Sequence, residues 1–458
     1  MLDREYVKRG DRIEVEIAAL TAKGDGMAYV GQREVVVRQS VPGDRVAARV
    51  VKKRKGRFEA EVEEFLTEGY KREEPRCTHF GRCGGCRWQE LPYAAQLAVK
   101  EQMVASALAT SGLALPAVAP ILPSPTPFFY RNKMEFSFGA NRAGLLQLGL
   151  HVRGRFNWIF DVEECHLQSD TSNRIVGAVR HISQALGLSA YDLKRHQGLL
   201  RFLVVREGKR SGEVMVNLVV SAYPDLGVQQ LAEQLLDAVP EIDVLLVTLH
   251  TGKAQVAAGE REFVLKGSGR ITEVCAGLEF DISPQSFFQT NSLQAERLYE
   301  VIARVAGPQK AVLDLYCGTG SISLLLAHQS QFVLGIEVVA EAVEDAKRNA
   351  VRNQIENCEF MVGAAEDILG ELAVQGQHFD LAVVDPPRPG IHKKALAGLC
   401  ALAPPRIIYV SCNVHALAGD LCTLGQAGYG VRSVQPVDMF PQTPHCEVVV
   451  ELCKQVVS

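Results

Sequence analysis

The hydrophobic pattern changes twice along the chain, which predicts three structural parts. In residues 1–68, apolar and polar positions alternate in short runs such as Arg12 to Ile17 and Phe58 to Val62. Glycine and proline turns separate these runs. Because such alternation is typical of strands with one buried face, we predict that the first part is a small, OB-like β-barrel.

Residues 69–283 combine helical and strand-like patterns, which predicts a central α+β domain. Strand-like runs occur near residues 198–205, 213–220 and 244–250, and a helical run lies near residues 226–238. The order of these runs does not identify a particular fold.

A further helical segment lies near the start of this central part. Apolar residues at helical spacing from Tyr93 to about Thr110 predict a helix, and a proline-rich connector follows from Pro116 to Pro127. We expect this helix and connector, about residues 93–127, to pack on the C-terminal part of the protein.

Residues 284–458 alternate regularly between apolar strand-like runs and helical stretches. This alternation predicts a doubly wound, Rossmann-like α/β domain. The predicted strands cover residues 311–315, 332–336, 359–362, 379–384, 406–410, 431–437 and 447–452.

Composition and charge narrow the classes of function. A chain of 458 residues is too long for one core, and 47% hydrophobic with 22% charged residues is ordinary for a soluble protein. The first residues are charged and no apolar run approaches a membrane span, so we expect a cytoplasmic protein without membrane contact. The net charge of −4 gives no global sign of nucleic-acid binding, so such evidence must be local.

Two short basic stretches are local candidates for RNA contact. One separates the last two strands of the predicted barrel, where it forms either a phosphate-contacting hairpin or a solvated loop. The other lies beside aromatic residues in a predicted strand, which is either a contact to RNA or an ordinary amphipathic strand. The candidate side chains are Lys52, Lys53, Arg54, Lys55, Arg57, Arg131 and Lys133.

Clustered cysteines indicate a metal centre. In a reducing compartment, the twelve cysteines of the chain are better explained by ligation or catalysis than by disulfides where they cluster. Three lie within ten residues around a Gly-Gly pair, and a fourth follows far downstream. They suit zinc or a [4Fe–4S] cluster, and the spacing does not separate the two. The candidate ligands are Cys77, Cys83, Cys86 and Cys165.

A glycine loop after the first C-terminal strand predicts a cofactor site. Gly318 and Gly320 form the loop, and Glu337 ends the next strand about twenty residues later. Ser323 replaces a third glycine, and Asp314 precedes the loop. A carboxylate there repels a pyrophosphate and attracts a sulfonium or ammonium group, so the loop favours S-adenosylmethionine (SAM) over NAD. A purely structural turn is the alternative.

Three further reactive side chains lie at predicted strand ends. Cys412 follows the apolar run Ile407 to Val410, Asp385 begins a proline-walled loop, and Glu447 starts the final strand. A cysteine after an apolar run is commonly a core residue. Because a glutamate and a cofactor loop accompany it at strand ends, we interpret Cys412 as a nucleophile and Glu447 as a proton acceptor.

The order of these motifs identifies a family resemblance. Behind the clustered cysteines come Asp314 to Ser321, Asp385 to Gly390, Ser411 to Asn413 and Pro444 to Glu447. In this order the motifs resemble those of the RNA 5-methyluridine methyltransferases, over essentially the whole chain. The resemblance is greatest to bacterial 23S rRNA enzymes that join a TRAM barrel, a [4Fe–4S] domain and a class I methyltransferase domain.

The resemblance implies a monomeric enzyme that uses SAM to methylate carbon 5 of a uridine in 23S rRNA. Cys412 matches the nucleophile that adds to carbon 6 of uracil, and Glu447 matches the base that removes the carbon 5 proton. The resemblance also implies a TRAM RNA-binding domain and a cysteine-bound [4Fe–4S] cluster. The residues predicted to contact the cofactor are Gln289, Asp314, Tyr316, Gly318, Gly320, Glu337 and Asp385.

Two other functions are open at this point. The same chemistry on tRNA is one, although the tRNA-specific bacterial relatives typically lack the first two parts. A non-catalytic RNA-binding iron–sulfur protein is the other, which the intact Cys412 and Glu447 disfavour. The family usually has proline where this chain has Val414, which raises the question of how rigid the nucleophile loop is. Cys317 and Cys446 are interpreted as packing residues.

Overall fold

The computed structural model describes residues 7–54 and 56–455. They contain three larger sheets and one two-stranded hairpin, together with the helices that pack on them. None of the described helices is both long enough and apolar enough to cross a membrane.

A six-stranded N-terminal sheet encloses its own apolar core. Its strands are β1 (Arg12–Glu16), β2 (Ala19–Leu20), β3 (Gly26–Val30), β4 (Arg33–Arg38), β5 (Arg45–Arg54) and β6 (Arg57–Thr67). They neighbour one another in the order β1-β5-β6-β4-β3-β2. In β1, Ile13 and Val15 are buried between exposed charged residues, so the alternating sequence gives the strand one core-facing side.

Helix α1 (Tyr93–Ala109) packs against the C-terminal part of the protein. Val104 and Leu108 are buried in the same apolar core as Leu313 and Tyr409 of the C-terminal sheet. Ile121 of the following connector joins this core. The helix and connector therefore belong, by their contacts, to the C-terminal part.

A second sheet, with seven strands, forms the central part. Its elements are β7 (Lys133–Ala140), β8 (Leu146–Val152), β9 (Arg155–Asp161), α2 (Asp170–Ala185), β10 (Leu200–Glu207), β11 (Val214–Val220), α3 (Leu226–Ala238), β12 (Val244–Leu249) and β13 (Arg261–Lys266). The strand order is β13-β12-β11-β10-β7-β8-β9. Helices α2 and α3 pack on this sheet, and α3 connects the parallel strands β11 and β12.

A hairpin links the central part to the C-terminal part. It consists of β14 (Ile271–Cys275) and β15 (Leu278–Ile282). Although these residues lie within the predicted central domain, Ile271 and Phe280 share an apolar core with Val312 of the C-terminal sheet.

The C-terminal sheet has seven strands in a doubly wound arrangement. Its elements are α4 (Ser292–Ala306), β16 (Gln309–Leu315), α5 (Ser321–Ala327), β17 (Ser330–Glu337), α6 (Ala340–Arg352), β18 (Cys358–Val362), α7 (Ala365–Val374), β19 (Leu381–Val384), α8 (Lys393–Leu402), β20 (Arg406–Ser411), α9 (Val414–Gln426), β21 (Tyr429–Val437) and β22 (Glu447–Lys454). The strand order is β18-β17-β16-β19-β20-β22-β21, and β22 runs antiparallel to both of its neighbours.

Apolar residues on both faces of this sheet explain why helices cover both of its sides. Leu313 and Tyr409 enter the core covered by α1 and α9, whereas Val312 and Ile408 enter the core covered by α4 and α5. Because successive residues of a strand point to opposite faces, continuous apolar strands require helices on both sides. The predicted doubly wound α/β domain is thereby confirmed.

Candidate active site

The register of the parallel strands gathers the predicted cofactor residues at one edge of the sheet. Leu315 of β16 pairs with the residue directly before Glu337 in β17 and with the residue directly before Asp385 after β19. Tyr316, Glu337 and Asp385 therefore leave neighbouring strands side by side, at the carboxyl ends where open α/β sheets bind ligands.

The antiparallel last strand adds a third carboxylate to this edge. Ser411 of β20 pairs with Val448 of β22. Cys412, the residue after β20, and Glu447, the first residue of β22, are therefore neighbours in this register, and Glu447 acts on the pKa of Cys412. Because β22 is antiparallel, its first residue lies at the edge where the parallel strands finish.

Hydrogen bonds hold the nucleophile loop. The hydroxyl of Ser411 donates to the carbonyl of Asn413 and accepts from its N–H, both at 3.1 Å. Asn413 caps α9 by accepting from the N–H of His415 at 3.2 Å, and its Nδ2 donates to the carbonyl of Arg388 at 2.9 Å. Val414 is the first helical residue and is buried, a position that proline also favours. The side-chain bonds therefore restrain the loop without the family's usual proline.

Cys412 opens into a cavity of about 130 Å³. Burial raises the pKa of Cys412 to about 11, with Glu447 and then Asp385 adding to the effect and Arg388 opposing it. The resting thiol is therefore protonated at neutral pH, and attack requires loss of this proton. The other residues that line the cavity are Ala22, Met103, Arg388, Asn413, Val414, His415, Pro444, His445 and Cys446.

The two carboxylates beside the thiol influence each other. Burial raises the pKa of Glu447 well above its ordinary value, Asp385 raises it further, and Arg388 lowers it. Burial also raises the pKa of Asp385 to about 7. A carboxylate with a raised pKa is a stronger proton acceptor once it is ionised, so the site contains suitable bases for carbon acid chemistry.

A buried ion pair fixes the segment that leads to Glu447. Lys100 of α1 and Asp438 are both fully buried and bonded to each other. Lys100 Nζ also donates to the carbonyl of Phe440 at 3.1 Å, and the hydroxyl of Tyr93 donates to Asp438 at 2.7 Å. Helix α1 therefore holds the segment between β21 and β22.

Asp314 supplies a buried acceptor beside the glycine loop. Its Oδ2 accepts from the hydroxyl of Ser323 at 2.5 Å, whereas its Oδ1 has no hydrogen-bond partner among the described residues. Burial raises the pKa of Asp314 to about 7, with Ser323 opposing the shift. A buried carboxylate oxygen without a partner suits a ligand that is cationic or donates a hydrogen bond.

The loop itself has a backbone that favours glycine. The φ angles are 64° at Tyr316, 55° at Gly318 and 83° at Gly320. Glu337 closes the loop, because its carboxylate accepts from the N–H of Gly318 at 3.2 Å and from that of Val339 at 2.9 Å. The loop and the acid after β17 thus form one hydrogen-bonded unit.

Gln289 is buried in the connection before α4. Its carbonyl accepts from Asn132 Nδ2 at 2.8 Å. Within the part of the chain that the structure covers, no hydrogen bond joins the Gln289 side chain to the glycine loop. The structure therefore groups the other predicted cofactor residues with the loop but does not join Gln289 to them by a bond.

The four clustered cysteines line a second cavity, of about 550 Å³. Burial raises the pKa of all four thiols, to about 12 for Cys86 and about 11 for Cys165. No three histidine, cysteine or acidic side chains within residues 7–54 and 56–455 are arranged to hold a metal ion. The thiols of Cys77, Cys83, Cys86 and Cys165 thus line one cavity.

Comparison with known proteins assigns the chain to a family. The family model described as tRNA (Uracil-5-)-methyltransferase matches residues 93–455. An uncharacterized RNA methyltransferase of Chlorobaculum tepidum is 40% identical, with 96% of each chain covered. One of Clostridium tetani is 36% identical, with 97% of this chain and 98% of that protein covered. The chain belongs to the uracil-5 RNA methyltransferase family.

A solved structure agrees with this family over nearly the whole chain. It is the tRNA (uracil-54, C5)-methyltransferase of Pyrococcus abyssi in complex with S-adenosyl-L-homocysteine. It is 28% identical, with a TM-score of 0.76, and the match covers 96% of this chain and 100% of that one. As a member of the uracil-5 RNA methyltransferase family, the chain is a SAM-dependent enzyme.

In this methyltransferase, the predicted RNA-contacting residues of the first part lie at the β5–β6 turn. Lys52 forms an ion pair with Glu59 at 3.1 Å, and Arg57 forms one with Glu34 at 3.3 Å. Part of the positive charge is therefore balanced within the same sheet. Lys55 lies outside the described residues. The described members of this group are Lys52, Lys53, Arg54 and Arg57.

The other two predicted RNA-contacting residues lie beside the cysteines. Arg131 and Lys133 both line the cavity that the four cysteines surround. Lys133 also forms an ion pair with Glu135 at 2.6 Å. The start of β7 and the residues just before it therefore bring positive charge to the cysteine cavity.

Sequence reasoning missed several residues of the methyltransferase site. Arg388 acts on the pKa of both Cys412 and Glu447, and its position inside the Asp-Pro-Pro-Arg motif was a signal that pointed to it. Ala22 and Met103 line the Cys412 cavity but lie in other parts of the chain, and no motif marks them.

Proposed function

We propose that the chain methylates carbon 5 of a uridine in RNA, with Cys412 as the covalent nucleophile and Glu447 as the proton acceptor. The observation that carries this proposal is the pairing of Ser411 with Val448. In this register, Cys412 and Glu447 are the next residues at the sheet edge. Together, a thiol and a basic carboxylate are the two groups that this chemistry requires of the protein.

The proposed reaction makes carbon 5 of uracil a nucleophile. The thiolate of Cys412 adds to carbon 6, and the electron pair of the double bond between carbons 5 and 6 moves to form an enolate. When bound, SAM would supply an electrophilic methyl group to carbon 5, with the bond between this methyl group and the sulfonium sulfur broken and S-adenosylhomocysteine as the leaving group. Glu447 then takes the carbon 5 proton, the double bond forms again, and the bond between carbon 6 and sulfur breaks. The thiolate of Cys412 is thereby regenerated.

The proposed cofactor residues fit a cationic methyl donor. The unpartnered Oδ1 of Asp314 suits the positive charge of SAM, and Glu337, which bonds to the glycine loop, would accept from ribose hydroxyls. Tyr316, Gly318 and Gly320 would shape the loop around the ligand. Gln289 and Asp385 are proposed as further contacts from the family resemblance.

The test compares two cysteine variants. Wild-type protein is incubated with SAM and transcripts of 23S rRNA or tRNA, and 5-methyluridine is measured by mass spectrometry. Cys412→Ala should lose methyl transfer, whereas Cys422→Ala, which changes an exposed cysteine of α9, should retain it. Full activity of Cys412→Ala would refute the covalent mechanism.

We propose 23S rRNA as the substrate, because the chain resembles rRNA enzymes that have a TRAM barrel and a cysteine-rich domain. The N-terminal sheet would then be the TRAM-like RNA-binding part. A specific observation favours tRNA as a second candidate: the Pyrococcus abyssi tRNA enzyme matches 96% of this chain, a span that includes most of both accessory parts. Methylation of only one of the two transcripts would decide between them.

We also propose that the four cysteines hold a [4Fe–4S] cluster. The four cysteines line one cavity of about 550 Å³, and four thiolates suit zinc or a [4Fe–4S] cluster. The preference for the cluster over zinc comes from the family resemblance. Arg131 and Lys133 line the same cavity and would face an anionic cluster.

Anaerobic purification tests the cluster. The protein should be brown and contain about four irons and four sulfides per chain. Cys86→Ser should lower the iron content, and Cys422→Ser should not. A colourless protein that contains zinc would refute the assignment.

A further inference from the structure

A loop of the N-terminal sheet reaches the cavity of the nucleophile. Residues 21–25 connect β2 to β3, and the exposed Ala22 lines the same cavity as Cys412. Met103 of α1 and Pro444 of the segment before β22 line it too. Three distant parts of the chain therefore enclose the thiol.

Gly24 allows the loop to approach the catalytic segment closely. Its φ is +73°, and a Cβ added there would lie 2.3 Å from the Cβ of Pro444 and 3.3 Å from Cζ2 of Trp88. Such distances leave no space for a side chain. Because Pro444 lies three residues before Glu447, the loop contacts the segment that carries the proposed base.

Two residues anchor both the loop and the catalytic segment. Arg87 forms an ion pair with Asp25 at 3.2 Å, and Trp88 Nε1 donates to the carbonyl of Gly24 at 3.4 Å. The backbone N–H groups of Arg87 and Trp88 donate to the carbonyl of Gln442, at 2.8 and 3.2 Å. The loop is therefore held in a defined position relative to the segment before Glu447.

We propose that residues 21–25 complete the pocket for the target nucleotide, and that Ala22 and Gly24 are positioning residues for the uridine. This inference rests on the proposed function. A base that reacts with a protein nucleophile must leave its stack and enter a closely fitting pocket. The small residue that the loop contributes to the wall of this pocket, Ala22, leaves room for the base beside Cys412. The N-terminal sheet, to which the loop is attached, keeps this wall in place.

A bulky side chain at the wall tests the proposal. Ala22→Trp should lower kcat/KM for the methylated transcript by about 100-fold, because it obstructs the cavity and displaces the base. Ala18→Trp is the matched control, since Ala18 is also exposed in the N-terminal part but does not line the cavity. Its kcat/KM should equal that of the wild type.

A second readout needs no RNA. The rate at which iodoacetamide alkylates Cys412 is followed by mass spectrometry of the peptide that contains it. Ala22→Trp should slow this alkylation, and Ala18→Trp should not. Equal methylation by the two variants would overturn the inference, whatever the alkylation rates.

The close approach of Gly24 offers an independent pair of variants. Gly24→Ala should lower kcat/KM by about 10-fold through displacement of the loop. Gly31→Ala is the control, because Gly31 also has a positive φ, of 58°, but an added Cβ there meets nothing within 4 Å. Equal kcat/KM for these two variants would also contradict the proposal.

The outcomes separate this inference from the proposed function. If the wild type methylates uridine and both matched pairs behave alike, only the inference fails. If the wild type methylates neither transcript, the proposed function fails and the uridine pocket with it. Slower alkylation in Ala22→Trp would in that case show that the loop covers Cys412 for a different substrate.

Discussion

Replacement of Glu447 by glutamine should affect the thiol and the turnover in opposite directions. Glutamine keeps the shape of the side chain and removes its charge. After burial, Glu447 is the largest cause of the raised pKa of Cys412, which is about 11. In molecules in which Glu447 is ionised, its neutralisation therefore lowers the pKa of Cys412 and increases the fraction of thiolate.

The size of this effect follows from the pKa. At pH 7, a thiol with a pKa of about 11 is ionised in about one molecule in 10,000, and each pKa unit changes this fraction tenfold. Burial, the largest cause of the shift, is unchanged in the variant. We therefore expect alkylation of Cys412 to be faster by about 10-fold at most.

Turnover should change in the other direction. Addition of Cys412 and methyl transfer do not require Glu447 in the proposed mechanism, but removal of the carbon 5 proton does. Glu447→Gln should therefore lower kcat by about 100- to 10,000-fold and accumulate a covalent protein–RNA adduct.

Two assays measure these effects. Alkylation is followed on the peptide that contains Cys412, and the adduct is detected as labelled RNA that migrates with the protein on a denaturing gel. The double variant Cys412→Ala/Glu447→Gln is the control and should form no adduct. A wild-type kcat or no adduct would refute the role of Glu447, and slower alkylation would refute the electrostatic argument.

Two further predictions concern the cofactor site and the ion pair. Burial raises the pKa of Asp314 from 3.8 to about 7, so the stability of the ligand-free protein falls as the pH rises from about 4 to about 7, and this group changes it no further above that pH. Above about pH 7 the ionised carboxylate attracts SAM. The thermal stabilisation that SAM gives the wild type should therefore increase from about pH 6 to about pH 8. The increase should be smaller with S-adenosylhomocysteine, which lacks the sulfonium charge, and absent in Asp314→Asn. A stabilisation by SAM that does not change with pH in the wild type would contradict this. Lys100→Met leaves Asp438 buried without its partner and should lower the free energy of unfolding by about 3–5 kcal/mol in urea denaturation. The double variant Lys100→Met/Asp438→Leu should recover much of this loss, and a single variant as stable as the wild type would refute the ion-pair argument.

The strand ends of the C-terminal part were predictable from local patterns. An apolar run long enough for a buried strand, followed by a reactive side chain, marks Cys412 and Asp385 without any knowledge of the fold. The glycine loop after Asp314 is equally local. Since parallel strands of one sheet finish at a common edge, these residues were expected to lie near one another.

The nucleophile loop shows the limit of such patterns. The sequence identified Val414 as a departure from the family but contained no sign of its effect. Only the structure shows that Ser411 and Asn413 bond within the loop and that Asn413 also bonds to the carbonyl of Arg388. These bonds join residues whose relation depends on how β19 and β20 lie in the sheet.

By itself, the sequence determined the doubly wound C-terminal domain, the family and the candidate nucleophile, because each of these follows from periodicity or from motifs within short segments. The tertiary structure decided which distant residues surround Cys412 and which ones hold the segment before Glu447. Ala22, Met103 and the buried Lys100 are ordinary residues in their local sequence. They reach the site only because the N-terminal sheet and α1 pack against the segment before Glu447, and packing between distant segments has no local signature.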